Sequence, residues 1–266
     1  MTATDRGGRP PGDAGRGPAA PDPGLPEQVE RLYRVRFDEA TPAGLLRGSA
    51  LLGYAQDIAW HHSEVLGFDR AWYRDRGLAW LVRAIDATLH APVLDGETLV
   101  VSTRVTGWRR VLARRRSEAI AEDGTVRATI LIDWAMSDGI TAVRVPGEFI
   151  RPPLDAPGPF SAIRVDLPAT PPEAARLVLT PRLRELDPMG HTNNGVYLDW
   201  LDEAVAAAGG ADAVVAFPRR YRLEYLRPAG PGSALVAAAW RDGAGWAHRL
   251  AAADGTELLR GRLDPA

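Results

Sequence analysis

The stretch LDPMGHTNNGVYLDWLDEA, residues 186–204, leads from a dense polar loop into a helical pattern of apolar residues. The loop holds the side chains and the turn glycine that a site for chemistry needs: Asp187, Gly190, His191, Asn193 and Asn194. Asn193 or Asn194 is predicted to cap the helix, whose N-terminal N–H groups and partial positive charge suit a developing oxyanion. A carboxylate beside them can deprotonate water or attack a carbonyl, and His191 can hold or share the proton.

The helix that follows repeats its apolar residues at the spacing of one helical face. The residues of this stripe are Val196, Tyr197, Trp200, Leu201, Ala204, Val205 and Ala208. A looser stripe covers residues 51–65, and alternating apolar residues after it predict strands at 99–105 and 128–136. The turn EDGT at 122–125 returns as ADGT at 253–256, which indicates an old duplication.

Two segments rich in Gly and Pro bound the patterned regions. Residues 1–28 hold six Gly and six Pro and are predicted to be a disordered tail. Residues 151–175 carry seven Pro and are predicted to be a linker. The two domains are then 29–150 and 176–266, each with one strand, one long helix and about four antiparallel strands. We expect an α+β fold in which each sheet wraps around its helix and the two sheets join edge to edge.

The composition excludes several classes of protein and mechanism. The formal net charge is −2, which argues against nucleic-acid binding through bulk charge. The chain has no Cys, and all 32 of its Lys and Arg residues are Arg, so disulfides, thiolate chemistry and Schiff bases are excluded. No apolar run approaches the ~20 residues of a membrane span. The N-terminal segment lacks the apolar core of a signal peptide, so a cytoplasmic location is expected, and without cofactor motifs we predict no cofactor and no metal.

The loop and helix at 186–204 resemble the signature of hotdog-fold thioesterases, in which an Asp precedes Gly-His-x-Asn-Asn and a Tyr and a Trp follow on the central helix. The tandem arrangement resembles the acyl-ACP (acyl carrier protein) thioesterases of plants and bacteria, whose first hotdog carries segments like 37–68 and 78–105. The second hotdog of that family continues with a strand like YRLEYLRPAGPGSALV at 221–236. The resemblance spans about 31–266 and implies a double hotdog fold and thioester hydrolysis.

The resemblance also implies roles for individual residues. The catalytic Asp and His of the family correspond to Asp187 and His191, with Gly190, Asn193 and Asn194 beside the substrate. The first half has no Gly-His-x-Asn-Asn and is implied to be the acyl-binding partner. The helix positions expected to contact the acyl chain are Ala55 and Ala59.

Three positions depart from the family pattern. Met189 stands where the plant-type pattern has Asn, and Pro228 and Ala229 stand where it has an acid or a thiol. The remaining Asp and Gly-His set resembles that of single-hotdog acyl-CoA thioesterases. Both ACP and CoA therefore remain open as the carrier.

A run of arginines offers a surface for that carrier. Arg109, Arg110, Arg114, Arg115 and Arg116 lie within eight residues. ACP presents an acidic helix and a phosphopantetheine phosphate, and Arg binds both kinds of anion well. We predict carrier docking at Arg109, Arg110, Arg114 and Arg116, with a solvated, charged edge strand as the alternative. A second candidate cluster consists of Arg219, Arg220, Arg222 and Arg227.

The sequence thus predicts hydrolysis of a fatty-acyl or related acyl thioester, with acyl-ACP as the first choice. Three alternatives stay open: an acyl-CoA thioesterase, a hotdog dehydratase acting on 3-hydroxyacyl thioesters, and an acyl-thioester-binding protein without hydrolysis. The dehydratase fits less well, because it would need a His and an acid facing each other across the two halves. Acyl chain length and oligomeric state, a homodimer included, also stay open.

Overall fold

The computed structural model describes residues 25–150 and 160–266, so most of the predicted tail and part of the predicted linker lie outside the described residues. The first half contains five strands and two α-helices. In chain order they are β1 (Gln28–Arg34), α1 (Gly48–Val65), α2 (Arg70–Arg76), β2 (Ala79–Leu89), β3 (Thr98–Arg109), β4 (Leu112–Ala121) and β5 (Val126–Ser137). Short 3-10 helices lie at Phe37–Glu39 and Gly147–Phe149.

The second half repeats this order. Its elements are β6 (Ala175–Leu179), α3 (Val196–Val205), α4 (Ala211–Val215), β7 (Arg219–Tyr225), β8 (Leu235–Asp242), β9 (Gly245–Ala252) and β10 (Glu257–Pro265). A kinked segment, Ala206–Gly210, in which Gly209 has a φ of +94°, links α3 to α4, and a 3-10 helix at Leu183–Glu185 precedes the polar loop. One strand, one long helix and four further strands are confirmed in each half, while α2 and α4 are additions that the sequence pattern did not predict.

The described strands form a single sheet that runs through both halves. Their order is β1-β3-β4-β5-β2-β7-β10-β9-β8-β6. The halves join where β2 pairs antiparallel with β7, with Ala84 opposite Glu224 and Leu89 opposite Arg219. The expected α+β double hotdog, with two sheets joined edge to edge, is confirmed.

The two long helices lie against the sheet and share one hydrophobic core. α1 packs on β3 and β1, whereas α3 packs on β8 and β9. The predicted alternation in β3 is confirmed, because Leu99 and Val101 are buried against α1's side of the sheet. The start of α1 meets α3 closely: a Cβ on Gly48 would lie 2.8 Å from the Leu198 side chain, so glycine permits this approach.

The described part of the predicted linker, residues 160–174, crosses from one half to the other over the outer face of the sheet. The structure assigns it neither helix nor strand. The Ile163 N–H donates to Asp133 Oδ2 of β5 (2.8 Å), and the Val165 N–H donates to Glu224 Oε2 of β7 (3.0 Å). Because both carboxylates are buried, these bonds tie the segment to each half of the sheet.

Candidate active site

A tight turn holds the polar loop in front of α3. The Asp187 N–H donates to the His191 carbonyl (2.7 Å), and the Gly190 N–H donates to the Asp187 carbonyl (2.9 Å). Gly190 has a φ of +77°, a conformation that other L-residues rarely adopt, so glycine is favoured there. The turn therefore brings Asp187 and His191 together, and both side chains line the same cleft.

The Asp187 carboxylate is held through one of its oxygens. Oδ1 accepts the N–H groups of Met189 (2.9 Å) and His191 (3.1 Å). Among the described residues Oδ2 has no hydrogen-bond donor. The loop thus fixes the orientation of the carboxylate and leaves one oxygen available to a ligand in the cleft.

The start of α3 differs in detail from the prediction. The regular helix begins at Val196, and Gly195 before it already has helical φ and ψ and no side-chain capping bond. Asn193 makes the predicted capping contact, since its Oδ1 accepts the Gly195 N–H (2.9 Å), but its side chain lines the groove between α1 and α3, outside the cleft. Asn194 does line the cleft, and its backbone N–H has no acceptor within the described ranges.

The cleft itself has a volume of about 340 Å³ and lies between the two halves. The polar loop and α3 form one wall, and β2, the end of β5 and the residues after β7 form the other. Its polar lining includes Asp187, His191, Thr192, Asn194, Tyr197 and Tyr225.

Two buried tyrosines connect the loop to the neighbouring backbone. Tyr197 Oη accepts the Ala229 N–H (2.8 Å), and the Tyr225 hydroxyl donates to the Asn194 carbonyl (2.8 Å). Burial raises the pKa of Tyr197, and the negative charge of Asp187 raises it further. Burial also raises the pKa of Tyr225 well above its usual value. Both phenols are therefore neutral at pH 7, and their contacts position the loop.

Gln56 of α1 reaches the polar loop from the first half. Asn194 Nδ2 donates to Gln56 Oε1 (3.2 Å), so the loop of one half is bonded to the helix of the other. Gln56 is not among the site residues that the sequence predicts. The two residues are 138 positions apart, and no local motif marks the pair.

A smaller, apolar cavity of about 50 Å³ lies beside the cleft in the first half. Trp80 lines both spaces, and Gln56 lines the cavity while it bonds to Asn194 of the cleft. Ala59 lines the cavity, whereas Ala55 is fully buried in the main core and does not. The aromatic wall of the cavity consists of Trp60, Phe68, Trp80, Trp108, Trp134 and Phe149.

The arginines expected to dock a carrier lie away from the cleft. They are Arg109, Arg110, Arg114 and Arg116. Arg114 forms a two-point ion pair with the buried Asp133 (2.7 and 2.9 Å), and Arg116 pairs with Glu118 (2.6 Å). Arg110 is exposed in the β3–β4 turn, with a φ of +49°. Arg114 and Arg116 thus have partners on the sheet itself.

One member of the second arginine cluster does reach the cleft. Arg227 is exposed beside Pro228 and lines the cleft. Its charge helps to lower the pKa of Asp254, but it has no carboxylate within ion-pair distance among the described residues. The other members are held on the sheet by neighbouring side chains: Arg219 by Tyr221, Arg220 by Asp86 and Arg222 by Asp264. Arg227 is therefore the arginine of this cluster that a ligand in the cleft can meet.

Within the two described ranges, no group of three or more His, Asp or Glu side chains could hold a metal ion. The helices in the same part of the chain are too short or too polar to cross a membrane.

Two family models match the two halves that the fold defines. The acyl-ACP thioesterase N-terminal domain matches residues 26–152, and the thioesterase superfamily matches residues 189–245, which include His191 and Asn194. Fold and matches together define a tandem hotdog protein of the thioesterase class. The chain belongs to the acyl-ACP thioesterase family.

Solved structures share the architecture over nearly the whole chain. A provisionally assigned oleoyl thioesterase from Lactobacillus plantarum is 18% identical, with a TM-score of 0.76 over 89% of this chain and 94% of its own. An acyl-ACP thioesterase from Bacteroides thetaiotaomicron is 16% identical, with a TM-score of 0.74 over 90% and 97%. The 12:0-ACP thioesterase from Umbellularia californica is 19% identical, with a TM-score of 0.74 over the same shares. No curated protein sequence matches the chain. At these identities the likeness shows the fold.

Proposed function

We propose that this protein hydrolyses acyl thioesters carried by ACP, with Asp187 as the catalytic base or nucleophile. Membership of the family supports thioester hydrolysis as the class of reaction. The observation that carries the proposal is the Asp187 carboxylate, whose Oδ1 is held by two loop N–H groups while Oδ2 is left free in the cleft at the start of α3.

In the base-catalysed route, Asp187 takes a proton from water while the water oxygen bonds to the thioester carbonyl carbon. Negative charge moves to the carbonyl oxygen, which the free Asn194 N–H and the positive end of the α3 dipole can stabilise. The adduct then expels the thiolate, which takes up a proton from Asp187 or through His191. In the nucleophilic route, Oδ2 itself bonds to the carbonyl carbon, the C–S bond breaks, and the thiolate leaves and takes up a proton from water or through His191. Water then hydrolyses the resulting anhydride to the free acid and the Asp187 carboxylate.

The acyl group would extend from the cleft, past Trp80, into the cavity of the first half. Ala59 is proposed to contact the chain there, while Ala55 supports α1 from the core. Gly190 and Asn193 are proposed to position the site without contacting the reacting atoms. Gly190 forms the turn, and Asn193 holds the start of α3. In this proposal the first half binds the acyl group, and the second half supplies the residues that hydrolyse the thioester.

For the carrier, Arg227 is the proposed contact for the phosphate of phosphopantetheine, because it is exposed at the cleft without an ion pair among the described residues. Of the predicted docking arginines, Arg109 and Arg110 are exposed. Arg109 donates to the Phe160 carbonyl (3.3 Å), so Arg110 is the member proposed to meet the acidic helix of ACP. Arg114 and Arg116 would first have to leave Asp133 and Glu118.

The test is to incubate the purified protein with matched acyl-ACP, acyl-CoA and 3-hydroxyacyl-ACP substrates and to follow free thiol and bound acyl groups. We expect thiol from acyl-ACP, and none above background from Asp187→Asn. Thiol from acyl-CoA alone would indicate a CoA thioesterase, and loss of water without thiol a dehydratase. Binding without any reaction would indicate a non-hydrolytic protein, an outcome to test because Pro228 brings no acid or thiol to the cleft.

A further inference from the structure

The cavity of the first half contains a cation that the proposed mechanism does not use. β4 alternates between the two faces of the sheet, and Ala113, Ser117 and Ala119 on its inner face are buried. Arg115 occupies the same inner face and lines the cavity. An arginine therefore stands at a position where the pattern of the strand calls for a small or apolar side chain.

The hydrogen-bonding partner of Arg115 is a neutral imidazole. Arg115 Nη1 lies 2.9 Å from His62 Nδ1, and His62 Nε2 lies 3.0 Å from the Pro26 carbonyl. The carbonyl requires a proton on Nε2, so Nδ1 accepts from Arg115. Burial, together with the charge of Arg115, lowers the pKa of His62 to about 4. His62 thus orients the guanidinium at pH 7 without balancing its charge.

No carboxylate balances that charge within residues 25–150 and 160–266. Burial lowers the pKa of Arg115 to about 10, which leaves the guanidinium charged at pH 7. Its neighbour Arg114, by contrast, has both carboxylate oxygens of Asp133. Arg115 is half-buried. A charge that is partly removed from water without a counter-ion is unfavourable, and such groups concentrate at functional sites.

The position of Arg115 relates it to the remote part of a bound acyl group. Arg115 lines the cavity and not the cleft, while Trp80 lines both. An acyl group with its carbonyl carbon at Asp187 and its chain past Trp80 would meet Arg115 with its far end. The Ser63 hydroxyl, which bonds to Tyr73 Oη (2.8 Å), adds a second polar group to the same cavity.

We propose that the acyl group of the substrate carries a carboxylate at the end remote from the thioester, and that Arg115 pairs with this carboxylate. The substrate class is then a monothioester of a dicarboxylic acid. This inference rests on the proposed function, which places the thioester carbonyl at Asp187. The tryptophans would pack on the methylene groups between the two ends, and the guanidinium would bind the carboxylate through two N–H groups. The small volume of the cavity, about 50 Å³, favours a compact acyl group.

A binding experiment tests the inference without any hydrolysis. The two probes are the monomethyl ester of a straight-chain dicarboxylic acid and the methyl ester of the monocarboxylic acid of the same length. Binding is followed by tryptophan fluorescence, since Trp60, Trp80, Trp108 and Trp134 line the cavity. The wild-type protein should bind the carboxylate-bearing ester about 10- to 100-fold more tightly, the range of a charge-assisted hydrogen-bonded pair.

Variants at one strand position identify the group responsible. Arg115→Met should abolish or reverse the preference, and Arg115→Lys should retain part of it because it keeps the charge. Arg104→Met, on the exposed side of β3, is the matched control and should bind both esters like the wild type. Equal binding of the two esters by the wild-type protein would overturn the inference, and this comparison decides even if Arg115→Met does not fold.

Hydrolysis of the corresponding acyl-pantetheine thioesters separates this inference from the proposed function. The wild type should show the same preference in kcat/KM, and Arg115→Met should lose it. If both thioesters release thiol equally and both esters bind equally, hydrolysis stands and the carboxylate site is refuted. If neither thioester releases thiol while the ester preference remains, the anion site stands and the proposed hydrolysis fails.

Discussion

The turns before α1 and α3 share a backbone but differ in their side chains. In the first half, the Thr41 N–H donates to the Leu45 carbonyl (2.8 Å), as the Asp187 N–H donates to the His191 carbonyl. Thr41 Oγ1 accepts the Leu45 N–H (3.3 Å), as Asp187 Oδ1 accepts the His191 N–H. Thr41 therefore stands where Asp187 stands, and Leu45 where His191 stands. One turn carries an acid and an imidazole, and its counterpart carries neither.

The two helices also differ, and here the first half has the smaller side chains. At the same spacing from these turns, Ala55 and Ala59 of α1 correspond to Leu201 and Val205 of α3. Both larger side chains are fully buried in the core. The small residues of α1 accompany an open cavity beside Ala59, and the larger residues of α3 fill the corresponding core. The two halves therefore differ in the way that the proposed division into an acyl-binding half and a catalytic half requires.

The largest expected effect follows from the two turns. Asp187→Asn keeps the size and the turn hydrogen bonds of the side chain but removes the base, so turnover should fall about 10²- to 10⁴-fold. Thr41→Val at the corresponding turn removes one hydrogen bond and should leave turnover within about twofold. Steady-state thiol release by both variants checks this prediction. Asp187→Asn activity within about threefold of wild type would rule out Asp187 as the catalytic group.

The next effect tests the two helices. Ala59→Trp should fill the cavity and shift the preferred acyl chain to shorter members, by about tenfold in relative kcat/KM, because added volume in a packed site is not accommodated. Val205→Ala in α3 should lower stability by about 1 kcal/mol without changing the preference. A competition assay with a graded series of acyl thioesters measures the shift. An unchanged preference in Ala59→Trp would place the acyl chain elsewhere.

A smaller effect is expected at the cleft mouth. Arg227→Glu should raise KM for acyl-ACP several-fold, more at low salt than at high salt, because exposed charges are screened by ions. Its kcat should change little, and hydrolysis of a minimal acyl-pantetheine thioester, which lacks the phosphate, should respond weakly. Arg110→Glu, in the turn between β3 and β4, should raise KM for acyl-ACP and leave KM for the acyl-pantetheine thioester unchanged. Equal loss with ACP and pantetheine substrates would mean that Arg227 acts inside the cleft and not on the carrier.

The smallest effect concerns an acid on the second helix. Asp202 of α3 lines the same pocket as Thr41 and Leu45. It accepts a hydrogen bond from the Tyr221 hydroxyl (2.9 Å), and burial raises its pKa to about 7. Because the pKa of Asp202 is higher in the folded state than in the unfolded state, its contribution to stability is fully present below about pH 4. That contribution is lost as the pH rises from 4 toward 7. Asn at position 202 cannot ionise. The free energy of unfolding of Asp202→Asn, relative to that of wild type, should therefore rise by about 1–3 kcal/mol between pH 5 and pH 8. Denaturant unfolding of both proteins at pH 5 and pH 8 measures this change. If variant and wild type differ in stability by the same amount at both pH values, the raised pKa of Asp202 is contradicted.

The predictable parts of the site are those that lie close together in the chain. Asp187 and His191 occupy one turn, so their spacing already places them together, and the alternation in β3 shows which residues face the core. Gln56 could not be identified, because its contact with Asn194 depends on how the two sheets join. Arg115 belongs to the arginine run but not to the predicted docking set, and strand alternation places it on the face of Ala113, where its surroundings are apolar. Arg114 and Arg116 each pair with a carboxylate, whereas Arg115 has no such partner among the described residues, and this difference distinguishes Arg115 from its neighbours.

The central claim is that the first half holds the acyl group while the second half supplies the reacting groups. A crystal structure of the protein with an acyl-pantetheine thioether, a stable mimic of the substrate, tests it most directly. We expect the sulfur end beside Asp187 and Asn194, with the acyl chain past Trp80 against Ala59. An acyl chain packed in the α3 half, or a sulfur beside Thr41 and Leu45, would contradict it.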